Sequence, residues 1–149
     1  MQEQEQATQD VDTVQVAEPF FGDIAVHCYW VLPAIQEILD AQPQLTFTAA
    51  DVYIACEEGS AALWIAEEGF VISTGETDDF TGDRTFLVWL AWAKERGQNC
   101  VIKHYDFFEQ VAREAGFKNI EVRTPIKKLE SYLLDEGWQL DTAIYTREL

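Results

Sequence analysis

The stretch Arg96-Gly97-Gln98-Asn99-Cys100-Val101 has residue types and a setting that could do chemistry. It follows an apolar run, Thr85 to Ala93, and precedes a helical pattern that stops at Ala115-Gly116. A strand, a tight turn and a helix in that order aim backbone N–H groups at a point where a pyrophosphate can sit. Glycine serves such turns because the chain must come close to the phosphates. Here Asn99 and Val101 stand at the two positions where glycines would do that work. The turn therefore reads as a phosphate loop with its frame kept and its glycines replaced.

Other reactive side chains are sparse. His27 and His104 are the only histidines, and neither has the neighbours of a zinc ligand set. His27 is expected in the core and His104 in the first turn of a helix. Cys100 sits in the turn, where a helix N-terminus could favour a thiolate, although a plain buried thiol is the simpler reading. Asp78, Asp79 and Asp83 crowd one loop without a calcium-loop pattern. Trp89, Trp92 and Trp138 are expected in the core; an exposed one could anchor a partner.

The elements that must position the turn follow from periodicity and caps. Residues 1–12 are rich in Gln and acids and form a flexible acidic segment; residues 13–149 form a single domain. Val14-Gln-Val16 alternates as a first strand. Asp23 caps a helical stretch over 24–41, in which Pro33 either kinks one helix or starts a second. Thr48 caps a helix over 49–58, with Asp51 in the capping-box position and Gly59 as the stop. The period then changes. Strands are predicted over 60–66 and 70–74, a polar loop over 75–83, and an apolar strand over 86–93, as suits a strand covered on both faces. The second half reads as helix 104–115, strand 119–124, helix 126–136 with Leu129, Tyr132 and Leu133 inward, and a closing strand 138–146.

Composition bounds the function. The chain has 149 residues, 48% of them hydrophobic and 13% aromatic, enough for one good core. Its longest uncharged apolar stretch, 24–36, spans 13 residues and contains Pro33, too short to cross a bilayer. The first residues lack the basic and apolar regions of a secretory leader, so none is expected. Three cysteines, Cys28, Cys56 and Cys100, form no even set, and a reducing cytosol is the simplest setting. The charge is placed unevenly. The first 83 residues hold 17 of the 27 acids and no Lys or Arg, whereas residues 84–149 hold ten of each sign. The net charge of −17 thus resides in the first part and opposes direct binding of nucleic acid. A solvated face, a basic protein partner and a cationic small substrate are the competing readings.

The element order and the stretch at Arg96 resemble the GNAT acyltransferase superfamily. The resemblance covers about residues 13–149. Members carry Gln/Arg-x-x-Gly-x-Gly/Ala between the fourth strand and third helix, where this chain has Arg96-Gly97-Gln98-Asn99-Cys100-Val101. The resemblance implies an α/β fold: a mixed, mostly antiparallel sheet of about six to seven strands with helices on both faces. It also implies acetyl-CoA as cofactor, held by Arg96, Gly97, Gln98, Asn99 and Val101, and a tyrosine as proton donor near the end of the last helix. That tyrosine position falls on Leu133, with Tyr132 one step earlier, and the helix-start Asn of the family falls on Ile126. The strand 86–93 offers no carboxylate as general base.

Two functional readings follow. In the first, the domain has lost its coenzyme site and acts by binding protein, similar to small acetyltransferase-like proteins of tailed phages. It would be a virion or assembly component, with a partner of basic surface, no direct nucleic acid and no membrane span. In the second, the chain is an acetyl-CoA-dependent N-acetyltransferase acting on a cationic amine, with Tyr132 or a water as the catalytic proton donor. The setting is cytoplasmic, or the virion if the chain derives from a phage. An acidic mimic of DNA is a third class.

Overall fold

The computed structural model describes residues 17–95, 97–124 and 128–149. The chain opens with a short strand, β1 (Phe20–Gly22), and Asp23 then caps helix α1 (Ile24–Ala41) by accepting the Ala25 N–H at 2.9 Å. Pro33 lies inside α1 without dividing it, so the open choice resolves to one helix. Val31, Ala34 and Ile35 form its buried stripe. Helix α2 (Ala49–Glu58) carries the expected capping box: Thr48 Oγ1 accepts from Asp51 N–H at 3.1 Å, and Asp51 Oδ2 accepts from Thr48 N–H at 2.8 Å.

Strands β2 (Ala61–Ile65), β3 (Gly69–Thr77) and β4 (Arg84–Ala93) form an antiparallel meander. β3 is longer than predicted because Gly75, Glu76 and Thr77 pair with Phe86, Thr85 and Arg84. A short helix α3 (Cys100–Lys103) and helix α4 (Tyr105–Glu114) follow, then strand β5 (Asn119–Val122) and helix α5 (Lys128–Asp135). The single helix expected over 104–115 thus begins earlier and is broken at His104 (φ −112°, ψ 27°).

The sheet has the order β1-β2-β3-β4-β5, antiparallel throughout except for the parallel pair β4–β5. Successive side chains of a strand point to opposite faces, and the core divides accordingly. Phe70, Ile72, Leu63 and Leu90 pack under α1 and α2 with Ile24, Val31, Ile35 and Val52. Val71, Phe86 and Val88 pack on the other face with Cys100, Val101, Phe108 and Ala112. The chain is therefore an α/β protein with helices on both faces of a mixed sheet.

The strand count is five among the described residues, not six to seven. Val14–Val16 lies outside the described residues; the first described strand is Phe20–Gly22, which forms because Phe20, Phe21 and Gly22 pair with Ile65, Trp64 and Leu63. The closing strand predicted over 138–146 does not form. Gly137 takes a left-handed φ of 87°, Trp138 N–H returns to Leu133 C=O at 2.9 Å, and the Trp138 ring rests on Tyr105 of α4. The chain is thereby led onto α4, and Leu140, Ile144 and Tyr145 remain exposed. Alternation yields a strand only where a neighbouring strand completes the ladder. No helix among the described residues is long and apolar enough to cross a membrane.

Candidate functional site

The parallel pair β4–β5 runs from Thr85 opposite Asn119 to Val88 opposite Val122. Beyond Val88, residues 89–93 of β4 continue without a β5 partner. This end of β4 stays paired with β3 as far as Ala93, and the described residues 94–95 and 97–99 lie between it and α3. Crevices beyond the carboxyl ends of strands are where open α/β sheets bind ligands.

Within the turn, Gly97 has φ +84°, the left-handed backbone that favours glycine. A Cβ added there meets nothing within 4 Å, so that side of the turn is open. Asn99, at the first of the positions where a glycine would work, does not have a left-handed backbone. It is extended (φ −134°, ψ 108°) and caps α3: its Oδ1 accepts from the N–H groups of Val101 and Ile102 at 3.0 and 3.2 Å. These are helix-start donors that a pyrophosphate would seek. Val101, at the second of the positions where a glycine would do that work, points inward and is 4% exposed, packed in the core with Val71, Phe86 and Phe108. Gln98 donates its N–H to Glu95 C=O at 3.4 Å, and its side chain lines a shallow basin of about 310 Å³ with Glu67, Glu68, Lys94, Glu95 and Lys103. Arg96 lies outside the described residues.

Cys100 is buried, and its thiol donates to Trp92 C=O at 3.5 Å. Burial, with the Glu68 carboxylate nearby, pushes its pKa up to about 12, so it is a thiol rather than a thiolate. Tyr132 is exposed on α5, not inward, and does not line the basin; Leu129 and Leu133 are half-buried. Ile126 lies outside the described residues. His27 Nδ1 accepts the Trp30 indole N–H at 3.1 Å, beside the rings of Phe20 and Trp30, which is a packing role. Trp89 and Trp92 pack against the α1–α2 core, while Trp138 lies half-buried on Tyr105. Asp78 Oδ1 accepts from Phe80 and Thr81 N–H and shapes its own loop. Among the described residues no group of three His, Cys, Asp or Glu could hold a metal ion.

The residue that sequence reasoning missed is Glu68. In the sequence it lies in the short connection between the strands predicted over 60–66 and 70–74. In the fold its side chain is only 4% exposed and accepts from Lys103 Nζ at 3.3 Å and from His104 Nε2. His104, expected in the first turn of a helix, is buried at the break between α3 and α4, at the N-cap of α4. Burial raises the Glu68 pKa, but its own N–H, His104 and Lys103 outweigh that and hold it below the usual carboxylate range.

Solved structures share this architecture over most of both chains. A ribosomal-protein-alanine N-acetyltransferase from Brucella melitensis biovar Abortus 2308 aligns with a TM-score of 0.64 and 15% identity, covering 89% of this chain and 100% of that one. A glucosamine-6-phosphate N-acetyltransferase from Arabidopsis thaliana aligns with a TM-score of 0.64 and 7% identity, covering 88% and 97%. An acetyltransferase from Trypanosoma brucei aligns with a TM-score of 0.61 and 12% identity, covering 89% and 99%. No protein-family model matches the chain, and no curated protein matches its sequence. The shared feature is the fold: this chain has the fold of the GNAT acetyltransferases.

Proposed function

We propose that the chain is an acetyl-CoA-dependent N-acetyltransferase acting on a cationic amine. One observation carries this reading: β4 outruns its β5 partner and delivers the chain directly into the open, left-handed turn at Gly97. The solved structures of like fold, which are acetyltransferases, support it. The coenzyme would bring an acyl group already activated as a thioester. The backbone of residues 97–101 would hold its pyrophosphate, with Lys94 and Lys103 supplying positive charge from the basin. The residues fit on one condition. Asn99 Oδ1 already makes two of the hydrogen bonds that a phosphate oxygen would accept, so its side chain must turn aside. Tyr132, which is exposed on α5 and outside the basin, or a water would have to supply the proton. The acids of the first 83 residues would draw a cationic acceptor.

Isothermal titration with acetyl-CoA tests the proposal. Micromolar binding is the expected result; no binding up to millimolar coenzyme overturns it.

A specific observation favours a second reading, in which the domain binds protein without catalysis, as a structural component such as a phage virion piece. The helix start is capped from within by Asn99, and the basin carries Glu67, Glu68 and Glu95, which oppose a phosphate. A chain that ignores acetyl-CoA but captures a basic partner in a salt-sensitive manner would have this function.

A further inference from the structure

We propose that Glu68 is a positioning residue for the turn after β4, fixing both ends of the segment 94–104 and presenting Lys94 and Lys103 to one basin. The backbone C=O of Glu68 accepts the Lys94 N–H at 2.8 Å, at the entry to the segment. Its carboxylate accepts from Lys103 Nζ at 3.3 Å and from His104 Nε2, at the exit. The part between contains the left-handed Gly97 and the extended cap Asn99, neither of which joins the sheet.

The hairpin that carries Glu68 does not need this side chain. Its turn is closed by backbone bonds in both directions, Ala66 N–H to Gly69 C=O at 2.9 Å and Gly69 N–H to Ala66 C=O at 3.4 Å. A buried carboxylate is costly to desolvate, and an apolar residue of similar volume would often fill such a space at no loss. The side-chain partners that offset the cost here both come from the segment 94–104. Glu68 thus links a rigid sheet turn to a loop that must hold its shape. The remaining charged groups at the basin are Glu67 and Glu95, and the Cys100 thiol lies against the carboxylate from within.

The proposal rests on the reading of this turn as the coenzyme's phosphate site. Glu68→Gln keeps the size and removes the charge. Charge alone predicts that the variant binds acetyl-CoA more tightly, because a negative group leaves the phosphate's surroundings. Positioning predicts the opposite. The expected result is a rise of about tenfold in the Kd and KM for acetyl-CoA, with kcat changed less than about twofold. Amide hydrogen exchange over residues 97–104 should quicken by about tenfold while Val71 and Ile72 in the core keep their protection. Unchanged or tighter binding with unchanged exchange overturns the proposal. Should Glu68→Gln not fold, Lys103→Met enters the same exchange measurement, where faster exchange at 97–104 supports the clamp and unchanged exchange overturns it. Failure of the wild-type protein to bind acetyl-CoA defeats the coenzyme reading alone, and exchange in the variant still decides whether Glu68 holds the turn.

Discussion

At Asn99 the side-chain oxygen accepts from the N–H groups of Val101 and Ile102, so an anion arriving at this helix start must first turn that side chain away. Replacing an N-cap Asn by Gly costs a helix only a few tenths of a kcal/mol. Asn99→Gly should therefore leave stability almost unchanged while tightening acetyl-CoA by about fivefold to tenfold, the worth of released hydrogen bonds. Titration calorimetry of the variant against wild type reads this directly; equal affinities would mean that the side chain moves aside without penalty. Val101 behaves differently. It fills the core behind the turn, and Val101→Gly should cost about 3 kcal/mol through lost packing and helix propensity, seen as a lower urea midpoint. The two substitutions look alike in the sequence, where both restore a missing glycine. Only burial separates the one that opens a site from the one that empties the core.

Among the elements, the hairpin β2–β3 and the end of β4 are packed more tightly than any pattern announces. A Cβ built on Gly69 would fall 1.9 Å from the Trp92 carbonyl oxygen and 2.8 Å from the Ala93 Cα, both of them backbone atoms. Gly69→Ala must push β3 from β4 where Glu68 meets Lys94. It should destabilise the fold by about 3 kcal/mol or more and lower the thermal midpoint by well over 10 °C. A melting point within a few degrees of wild type would show that the strands part at no cost. Caps and periods were legible at this scale. Asp23 and Thr48 with Asp51 start their helices where the sequence places them, because each cap is made within three residues of itself. The closing strand over 138–146 was not correctly legible. Its alternation is real, but the contact that decides its path is that of Trp138 with Tyr105. A ring contact across 33 positions leaves no mark in a local pattern.

For the whole molecule the dominant feature is its charge. Ion pairs join the acidic part to the mixed part at Lys118–Asp83 and Arg123–Glu76. Such exposed pairs contribute little each, and the net charge of −17 remains. A compact chain of this charge repels itself. Added salt should therefore raise the thermal midpoint: between about 0.02 and 0.5 M NaCl the screening length falls severalfold, and a rise of several degrees is expected. A fall would show that the cross-chain pairs outweigh the repulsion. The same screening should weaken a cationic acceptor or a basic partner, so binding assays belong at low and high salt alike.

In the sequence by itself, short-range physics made legible the starts of the first two helices, the apolar strand covered on both faces, a tight turn after it and the uneven charge. Tertiary structure alone decided which way Val101 points, how Asn99 is employed, and that Glu68 meets His104 across 36 positions. Caps and turns close within a few bonds of the residues that encode them. A buried carboxylate finds its partners only once the sheet has brought the β2–β3 turn against α3.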